Sequence, residues 1–123
     1  MKSRNLIESF RYASAGLWCV LTTQRNARVH LLIAAAATGL GLWLGLTPTQ
    51  WAVLALAIGF VLASEMLNTV AETLVDLISP GYHPLAKVVK DVTAGAVLLS
   101  AITALVVGLL ILGPPLWGRL WGG

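Results

Sequence analysis

The stretch Ala63–Asp76, ASEMLNTVAETLVD, places two glutamates, an asparagine and an aspartate inside a long apolar segment. The chain has 123 residues, of which 58% are hydrophobic and only 11% charged. Its mean hydropathy is +0.85. Soluble domains carry about 25% charged residues, so this composition indicates an integral membrane protein. The length predicts a single domain over residues 1–123.

Three long apolar stretches cover residues 29–46, 51–78 and 92–112. Each ends at a polar or glycine-containing turn with proline, the last of them at Gly113, Pro114 and Pro115. A helix of about 17–25 residues crosses a bilayer, and the alternation typical of a membrane barrel is missing from the sequence. The predicted fold is an all-α membrane protein with three transmembrane helices.

The region before the first span, residues 1–28, has a different pattern. Its apolar residues recur at helical spacing on one side, which predicts an amphipathic helix on the membrane surface. A signal peptide is the alternative, but the apolar run Ala15–Leu21 leads into polar residues without a small-residue cleavage site. The single cysteine, Cys19, forms no intrachain disulfide and is expected to be a buried thiol.

The basic residues predict the orientation of the chain in the membrane. Five of them precede the first span and two lie between the second and third, whereas Arg119 alone is near the carboxyl terminus. The positive-inside rule then places the amino terminus and the 79–90 connection in the cytoplasm and the carboxyl terminus outside the cell membrane. The net charge is +3, but the basic residues form no patch with interleaved aromatics, so nucleic acid is not an expected partner.

The polar residues of the middle span share one helix face. At about 100° per residue, Glu65, Asn68, Glu72 and Asp76 fall within about 80° of one another. Glu65 lies roughly 21 Å from Trp51 along the helix, which is about two turns inside the predicted cytoplasmic boundary near Glu72. An ionisable group at that depth costs at least about 2.5 kcal/mol when it faces lipid. The stripe is therefore expected to face protein or a wet cavity.

The stripe has two interpretations. Asparagine and glutamate can hold membrane helices together by hydrogen bonds, which explains one such residue better than a line of three carboxylates and an amide. Crowded carboxylates repel unless a cation lies among them, and Mg²⁺ is usually bound by one or two carboxylates with substrate phosphates. The sequence therefore favours a metal–nucleotide site at the cytoplasmic face.

The motif EMLNTVAETLVD followed by YHPLAKVVKDVTAGAVLL resembles the prokaryotic diacylglycerol kinase family, which includes undecaprenol kinases. Nearly the whole chain is similar, since SFRYASAGL and TQRNARVHLL look like the family's surface helix and first span. The resemblance implies a homotrimeric membrane lipid kinase that uses ATP and Mg²⁺. It also implies that each active site is shared between subunits.

The resemblance further implies roles for individual residues. Glu65 would be the general base for the lipid hydroxyl, and Glu72 would bind Mg²⁺. A second group would bind nucleotide or substrate: Asn68, Asp76, His83, Lys90, Asp91 and, on the surface helix, Arg11. For His83 an equally strong alternative is that it caps the turn before Pro84.

One position departs from the family pattern, because Gln24 stands where the best-known members have a metal-binding glutamate. An amide oxygen can bind a hard cation without adding charge, so Gln24 is a weaker candidate ligand than Glu72. No Walker-type glycine loop is present, so the metal and Lys90 would have to hold the phosphates. The glycines Gly39, Gly41 and Gly45 are expected at close helix contacts instead.

The predicted function is ATP- and Mg²⁺-dependent phosphorylation of a membrane lipid alcohol, either diacylglycerol or undecaprenol. Both present a primary hydroxyl, and no residue discriminates between them. The alternative from another class is a small oligomeric proton-coupled transporter in which Glu65 and Glu72 relay protons. A transporter has no need of Lys90 and Asp91 beside the carboxylates.

Overall fold

The computed structural model describes residues 5–122, which form four α-helices. They are α1 (Leu6–Thr23), α2 (Arg25–Leu44), α3 (Pro48–Ile78) and α4 (Pro84–Trp121). Between residues 5 and 122 there is no β-strand, and α2, α3 and α4 are each long and apolar enough to cross a membrane. The all-α fold with three spanning helices is thereby confirmed. Lys2 and Arg4, which support the predicted orientation, lie outside the described residues.

Helix α3 begins at Pro48, three residues before the predicted start, and ends as predicted at Ile78. Proline is well tolerated at a first helical position, where its missing N–H has no partner to lose. Thr47 Oγ1 accepts the Gln50 N–H at 3.2 Å, and Gln50 Oε1 accepts the Thr47 N–H at 2.9 Å. This reciprocal capping box starts the helix directly after the turn.

Helix α4 is longer at both ends than the predicted span 92–112. It starts at Pro84, so the connection after α3 is only residues 79–83. It also continues through Pro114 and Pro115 to Trp121, although a double proline was expected to end it. Arg119 explains part of this continuation, because it donates to the Trp43 carbonyl at 3.0 Å and lies 4.7 Å over the Trp43 ring. This contact holds the last turns of α4 against the end of α2.

Helices α1 and α2 are separated by a single extended residue, Gln24. Helix α2 thus starts at Arg25 instead of residue 29, and it ends at Leu44 instead of 46. Arg28 reaches back to the last turn of α1, where its Nη1 donates to the carbonyls of Leu21 at 3.2 Å and Thr22 at 3.1 Å. These bonds satisfy carbonyl groups that a helix end leaves open.

Helix α1 contacts the other helices mainly near its end, where Val20 is buried. The rest of its apolar side remains exposed, including Leu6 and Phe10, and such a surface suits the predicted position on a membrane. Cys19 is exposed on this helix. The expectation of a buried thiol was therefore wrong, because α1 offers too few contacts to enclose it.

The hydrophobic core lies at the end of the bundle where α2 ends, α3 begins and α4 passes its prolines. Leu46, Leu54 and Ile111 are buried there, and half-buried residues such as Trp51 and Val107 surround them. The most extensive helix interface is that between α3 and α4. Leu54 is about 27 Å from Glu72 along the axis of α3, so the core and the carboxylates occupy opposite halves of the bundle.

The three glycines of α2 and its carboxyl end have three different environments. A Cβ at Gly41 would lie 2.8 Å from Leu46 Cδ1 and 2.9 Å from Trp51 Cη2, so the predicted close contact is confirmed at Gly41. Gly45 has a φ of 72° and ends α2 in the left-handed conformation that glycine adopts most easily. At Gly39 and Gly45 nothing lies within 4 Å of such a Cβ among residues 5–122, so the prediction of a close contact fails for these two positions within the protomer.

These environments predict opposite effects for two alanine substitutions. Gly41→Ala should be destabilising, because overpacking typically costs about 1–3 kcal/mol and the gain in helix propensity is only about 1 kcal/mol. Gly39→Ala places its methyl group in open space, so the higher helix propensity of alanine should stabilise the protein by up to about 1 kcal/mol. Thermal unfolding in detergent measures both variants, and equal shifts in the same direction would contradict the packing at Gly41.

Candidate functional site

The buried face of α3 changes from apolar to polar halfway along the helix. Leu54, Ala57, Val61 and Glu65 are its buried residues, at spacings of three and four positions. Asn68 and Glu72 continue the same face and are half-buried. The polar stripe therefore faces protein in its deeper part, as predicted. It ends at Asp76, whose side chain is 69% exposed.

Glu65 is the most deeply buried charged residue described, with a side chain only 2% exposed. Its Oε1 atom lies 3.3 Å from Nε2 of His30, on α2. The two groups are close but not aligned as a hydrogen bond. Within residues 5–122, Oε1 accepts no hydrogen bond from any group. A buried carboxylate requires a partner to remain charged, and His30 is the residue placed to provide one.

His30 was not predicted as a site residue, although the sequence contained a signal for it. The face of α2 toward the bundle is built from small residues at helical spacing, namely Ala27, Ala34, Ala37 and Gly41. His30 falls on this face, between Ala27 and Ala34, and is its one ionisable member. An ionisable residue on the packing face of a span is a functional candidate by default, but its partner is visible only once α2 and α3 are placed together.

Asn68 and Glu72 form a second polar pair one to two turns further along α3. The Asn68 Nδ2 donates to Glu72 Oε1 at 3.2 Å. The Asn68 Oδ1 is buried and has no hydrogen-bond partner within the described part of the chain. An open amide oxygen beside a carboxylate suits a hard cation, which takes oxygen ligands. No group of three or more histidine, cysteine or acidic residues converges between residues 5 and 122, so phosphate oxygens would have to complete such a site.

Ion pairs connect the end of α3 with the start of α4. Lys90 Nζ lies 3.1 Å from Asp76 Oδ1, which joins the two helices across their turn. Lys87 Nζ lies 2.6 Å from Asp91 Oδ2 within α4. All four side chains are about half exposed or more, so each pair contributes little to stability. When an anionic ligand approaches, Lys87 and Lys90 can leave their carboxylate partners and bind the ligand instead.

The other predicted site residues are not brought into a contact with the carboxylates. His83 is the N-cap of α4, and its Nδ1 accepts the Leu85 N–H at 3.1 Å, which is the capping role proposed as the alternative. Arg11 is exposed on α1. Gln24 is half-buried at the α1–α2 junction, where its N–H donates to the Val20 carbonyl at 2.8 Å and its side chain does not cap α2. Their roles stay predictions.

An apolar groove of about 430 Å³ runs between α2, α3 and α4. On α4 its lining extends from Ala101 to Leu116, a distance of about 22 Å along the helix. Among residues 5–122, His30 is the one ionisable residue in the lining, and it lies at the end toward the carboxylates. Another apolar cavity, of about 650 Å³, lies between α3 and α4 near their turn and includes His83. Its α3 residues, such as Leu67 and Leu74, are on the face opposite to Glu65.

The fold and the site together define a class of protein. It is a helical membrane protein that carries a buried carboxylate beside an apolar groove, with a more exposed polar cluster at the same end of the bundle. Residues 11–112 match the prokaryotic diacylglycerol kinase family. The chain belongs to this family, and the enzyme class that the family and its relatives indicate is a lipid kinase.

Individual relatives have two different names. A diacylglycerol kinase of Synechocystis sp. is 48% identical over 91% of this chain, which spans 65% of that protein's length. An undecaprenol kinase of Bacillus subtilis is 40% identical over 89% of this chain and 89% of its own. A diacylglycerol kinase of Helicobacter pylori is 27% identical over 97% of this chain and 83% of its own. The two most similar of these three proteins differ in the lipid that their names specify.

Proposed function

We propose that the protein transfers the γ-phosphoryl group of ATP, with Mg²⁺ as cofactor, to the hydroxyl of a membrane lipid alcohol. The observation that carries this proposal is the position of Glu65, a carboxylate buried within a spanning helix beside an apolar groove. A proton acceptor at that depth suits a substrate that lies in the bilayer. Family membership supports the same chemistry.

In the proposed reaction Glu65 is the general base. It accepts the proton of the lipid hydroxyl while the hydroxyl oxygen bonds to the γ-phosphorus and ADP leaves. Base catalysis of this kind typically contributes 10²–10⁴-fold to a rate. The burial of Glu65 excludes water, which limits competing hydrolysis of ATP at this position.

The polar residues nearer to the helix end are assigned to the nucleotide. Glu72 and the open Oδ1 of Asn68 would hold Mg²⁺, with Gln24 as a further oxygen ligand. Mg²⁺ held there would supply positive charge to neutralise the phosphates of ATP. Lys90, now paired with Asp76, provides a cation for the phosphates, and Asp91, His83 and Arg11 are proposed to bind nucleotide or substrate.

The apolar groove suggests how the acceptor is placed. Among the described residues, a lipid chain in the groove would contact apolar side chains until it reaches His30, whose Nε2 lies 3.3 Å from Glu65 Oε1. Diacylglycerol and undecaprenol both satisfy this description, since each joins a primary hydroxyl to long hydrocarbon. We propose one of these two alcohols as the acceptor, in agreement with the names of the relatives.

The protomer is proposed to act as a homotrimer in the cell inner membrane, with the amino terminus and active site in the cytoplasm and the carboxyl terminus outside. Glu72 and Asn68 are only half-buried in one protomer, and polar groups at this depth are stable where protein covers them. A neighbouring protomer would supply that cover. Chemical cross-linking in mild detergent is expected to give a ladder that ends at three subunits; a ladder that ends at two would contradict the trimer.

Release of ADP tests the proposed function. Purified protein in detergent micelles with Mg²⁺ and ATP is expected to release ADP when diacylglycerol or undecaprenol is added, and much more slowly without lipid. The two lipids are tested in parallel, and the one that gives the higher kcat/KM is the acceptor. ADP release that is independent of both alcohols would contradict the proposal. The transporter alternative instead requires ATP-independent proton flux in sealed vesicles, and neither the family nor the relatives support it.

Gln24→Glu tests the proposed metal ligand at the α1–α2 junction. In water a carboxylate about 4 Å from Mg²⁺ interacts by about 2 kcal/mol, because the ion carries two unit charges, so the Mg²⁺ concentration for half-maximal activity should fall about 30-fold. Nucleotide binding without Mg²⁺ should weaken, because the new carboxylate repels the phosphates. Gln24→Ala is the control for loss of the amide. Unchanged Mg²⁺ dependence and unchanged nucleotide binding in Gln24→Glu would place this residue away from the metal.

A further inference from the structure

The buried carboxylate of Glu65 needs a partner that keeps it ionised, and its assignment as a base does not identify that partner. A general base must be ionised before the reaction, yet the Glu65 side chain is only 2% exposed. An unpaired charge in such a place is strongly disfavoured. The fold must therefore provide a group that stabilises the charged form and fixes its orientation.

His30 is in the position to do this. Its Nε2 is 3.3 Å from Glu65 Oε1, and this oxygen accepts no hydrogen bond from any other group within residues 5–122. Contacts of this kind are often long or misaligned before substrate binds and tighten in the complex. The neighbours of His30 on the packing face of α2, Ala27 and Ala34, are small, so the imidazole can lie between the two helices.

The groove between α2, α3 and α4 gives an independent reason to consider His30. The imidazole lines this apolar groove at the end toward the carboxylates, and 22% of the His30 side chain is exposed. A hydroxyl that arrives along the groove would therefore reach His30, whose Nε2 is 3.3 Å from Glu65 Oε1. One oxygen of the carboxylate faces His30, which leaves the other, Oε2, for the hydroxyl.

We propose that His30 is a positioning residue for Glu65. Its Nε2–H stabilises the ionised carboxylate through Oε1 and turns Oε2 toward the acceptor hydroxyl. In the phosphoryl transfer, the hydroxyl proton moves to Glu65, the hydroxyl oxygen bonds to the γ-phosphorus, and the bond from that phosphorus to the β–γ bridging oxygen breaks. His30 keeps its own proton throughout this step. The inference rests on the proposed function.

Two substitutions separate the hydrogen-bond donor from the bulk of the side chain. His30→Leu removes the donor, and kcat should fall about 10–100-fold, the loss usual when a residue that orients a functional group is removed. The KM for Mg-ATP should change little. His30→Gln places an amide N–H near the position of Nε2 and should recover most of kcat. Loss of kcat to the same extent in both variants, or no loss in His30→Leu, would overturn the proposal.

A double-mutant cycle adds a measurement that a purely structural role would not affect. When Glu65→Gln has removed the base, His30→Leu should lower the residual kcat no further, because the two residues act as one unit. Ile33→Ala, which alters the same groove one turn away, is the control. It should change kcat by the same factor in the parent protein and in Glu65→Gln. Full additivity of His30→Leu with Glu65→Gln would overturn the positioning role.

The same experiment distinguishes this inference from the proposed function. An active parent enzyme with a fully active His30→Leu variant contradicts only the role of His30. A folded parent protein that transfers no phosphate to either lipid contradicts the proposed function, and the role of His30 with it. Variants are compared as monodisperse helical protein in the same detergent, so that loss of folding is measured separately.

Discussion

Glu65→Gln is expected to lower kcat about 10²–10⁴-fold, the contribution typical of a general base. The substitution keeps the size of the side chain and removes its ability to accept the lipid proton. Because Glu65 and Glu72 are about 10 Å apart along the helix axis, binding of the Mg-nucleotide should be nearly unchanged. Steady-state kinetics and nucleotide binding in micelles measure the two effects separately.

The matched control for Glu65 is the preceding residue, Ser64, which lies about 100° away on another face of α3. Ser64 donates to the Phe60 carbonyl at 2.9 Å and takes no part in the polar stripe, so Ser64→Ala should retain activity near that of the parent. A Glu65→Gln variant with parental kcat would remove Glu65 from the mechanism. A variant that loses nucleotide binding in proportion to kcat would place Glu65 at the nucleotide instead.

Glu72→Gln is expected to have the next largest effect, and on a different quantity. Loss of this carboxylate should raise the Mg²⁺ concentration for half-maximal activity at least about tenfold, since even residues that only orient a metal ligand typically contribute 10–100-fold to affinity. Saturating Mg²⁺ should restore part of kcat, which it cannot do for Glu65→Gln. Titration of activity against Mg²⁺ in both variants makes the comparison.

Asp76 provides the comparison for Glu72 at the exposed end of the stripe. Asp76→Asn removes the partner of Lys90 but is proposed to alter nucleotide binding rather than metal binding. Its Mg²⁺ dependence should therefore shift less than that of Glu72→Gln. Equal shifts in the two variants would mean that the carboxylates act through overall charge and not as specific ligands.

The end of α3 and its buried polar face were predicted because the residues that determine them lie within or directly after the helix. Residues that end a helix follow Ile78 directly, and the polar positions 65, 68, 72 and 76 recur at helical spacing. The cost of a charge in lipid then predicts that this face is turned inward. The burial of Glu65 and the pairing of Asn68 with Glu72 agree with that argument.

Features that depend on contacts between helices were not predictable in the same way. Pro114 and Pro115 signal a helix end locally, but the contact of Arg119 with Trp43, 76 residues away in sequence, holds α4 in place beyond them. His30 resembles an isolated polar residue at the start of a span until α2 and α3 pack together. Cys19 was misjudged for a related reason, since its burial depends on how closely α1 packs on the bundle.

The most direct test of the central claim is to follow the γ-phosphate itself. ATP labelled at the γ position is incubated with the protein, Mg²⁺ and either diacylglycerol or undecaprenol in micelles, and the label is measured in the organic extract. Label is expected to enter one of the two lipids with the parent protein and to be absent from both lipids with Glu65→Gln. Label that stays entirely in the aqueous phase, as ATP or inorganic phosphate, would contradict it.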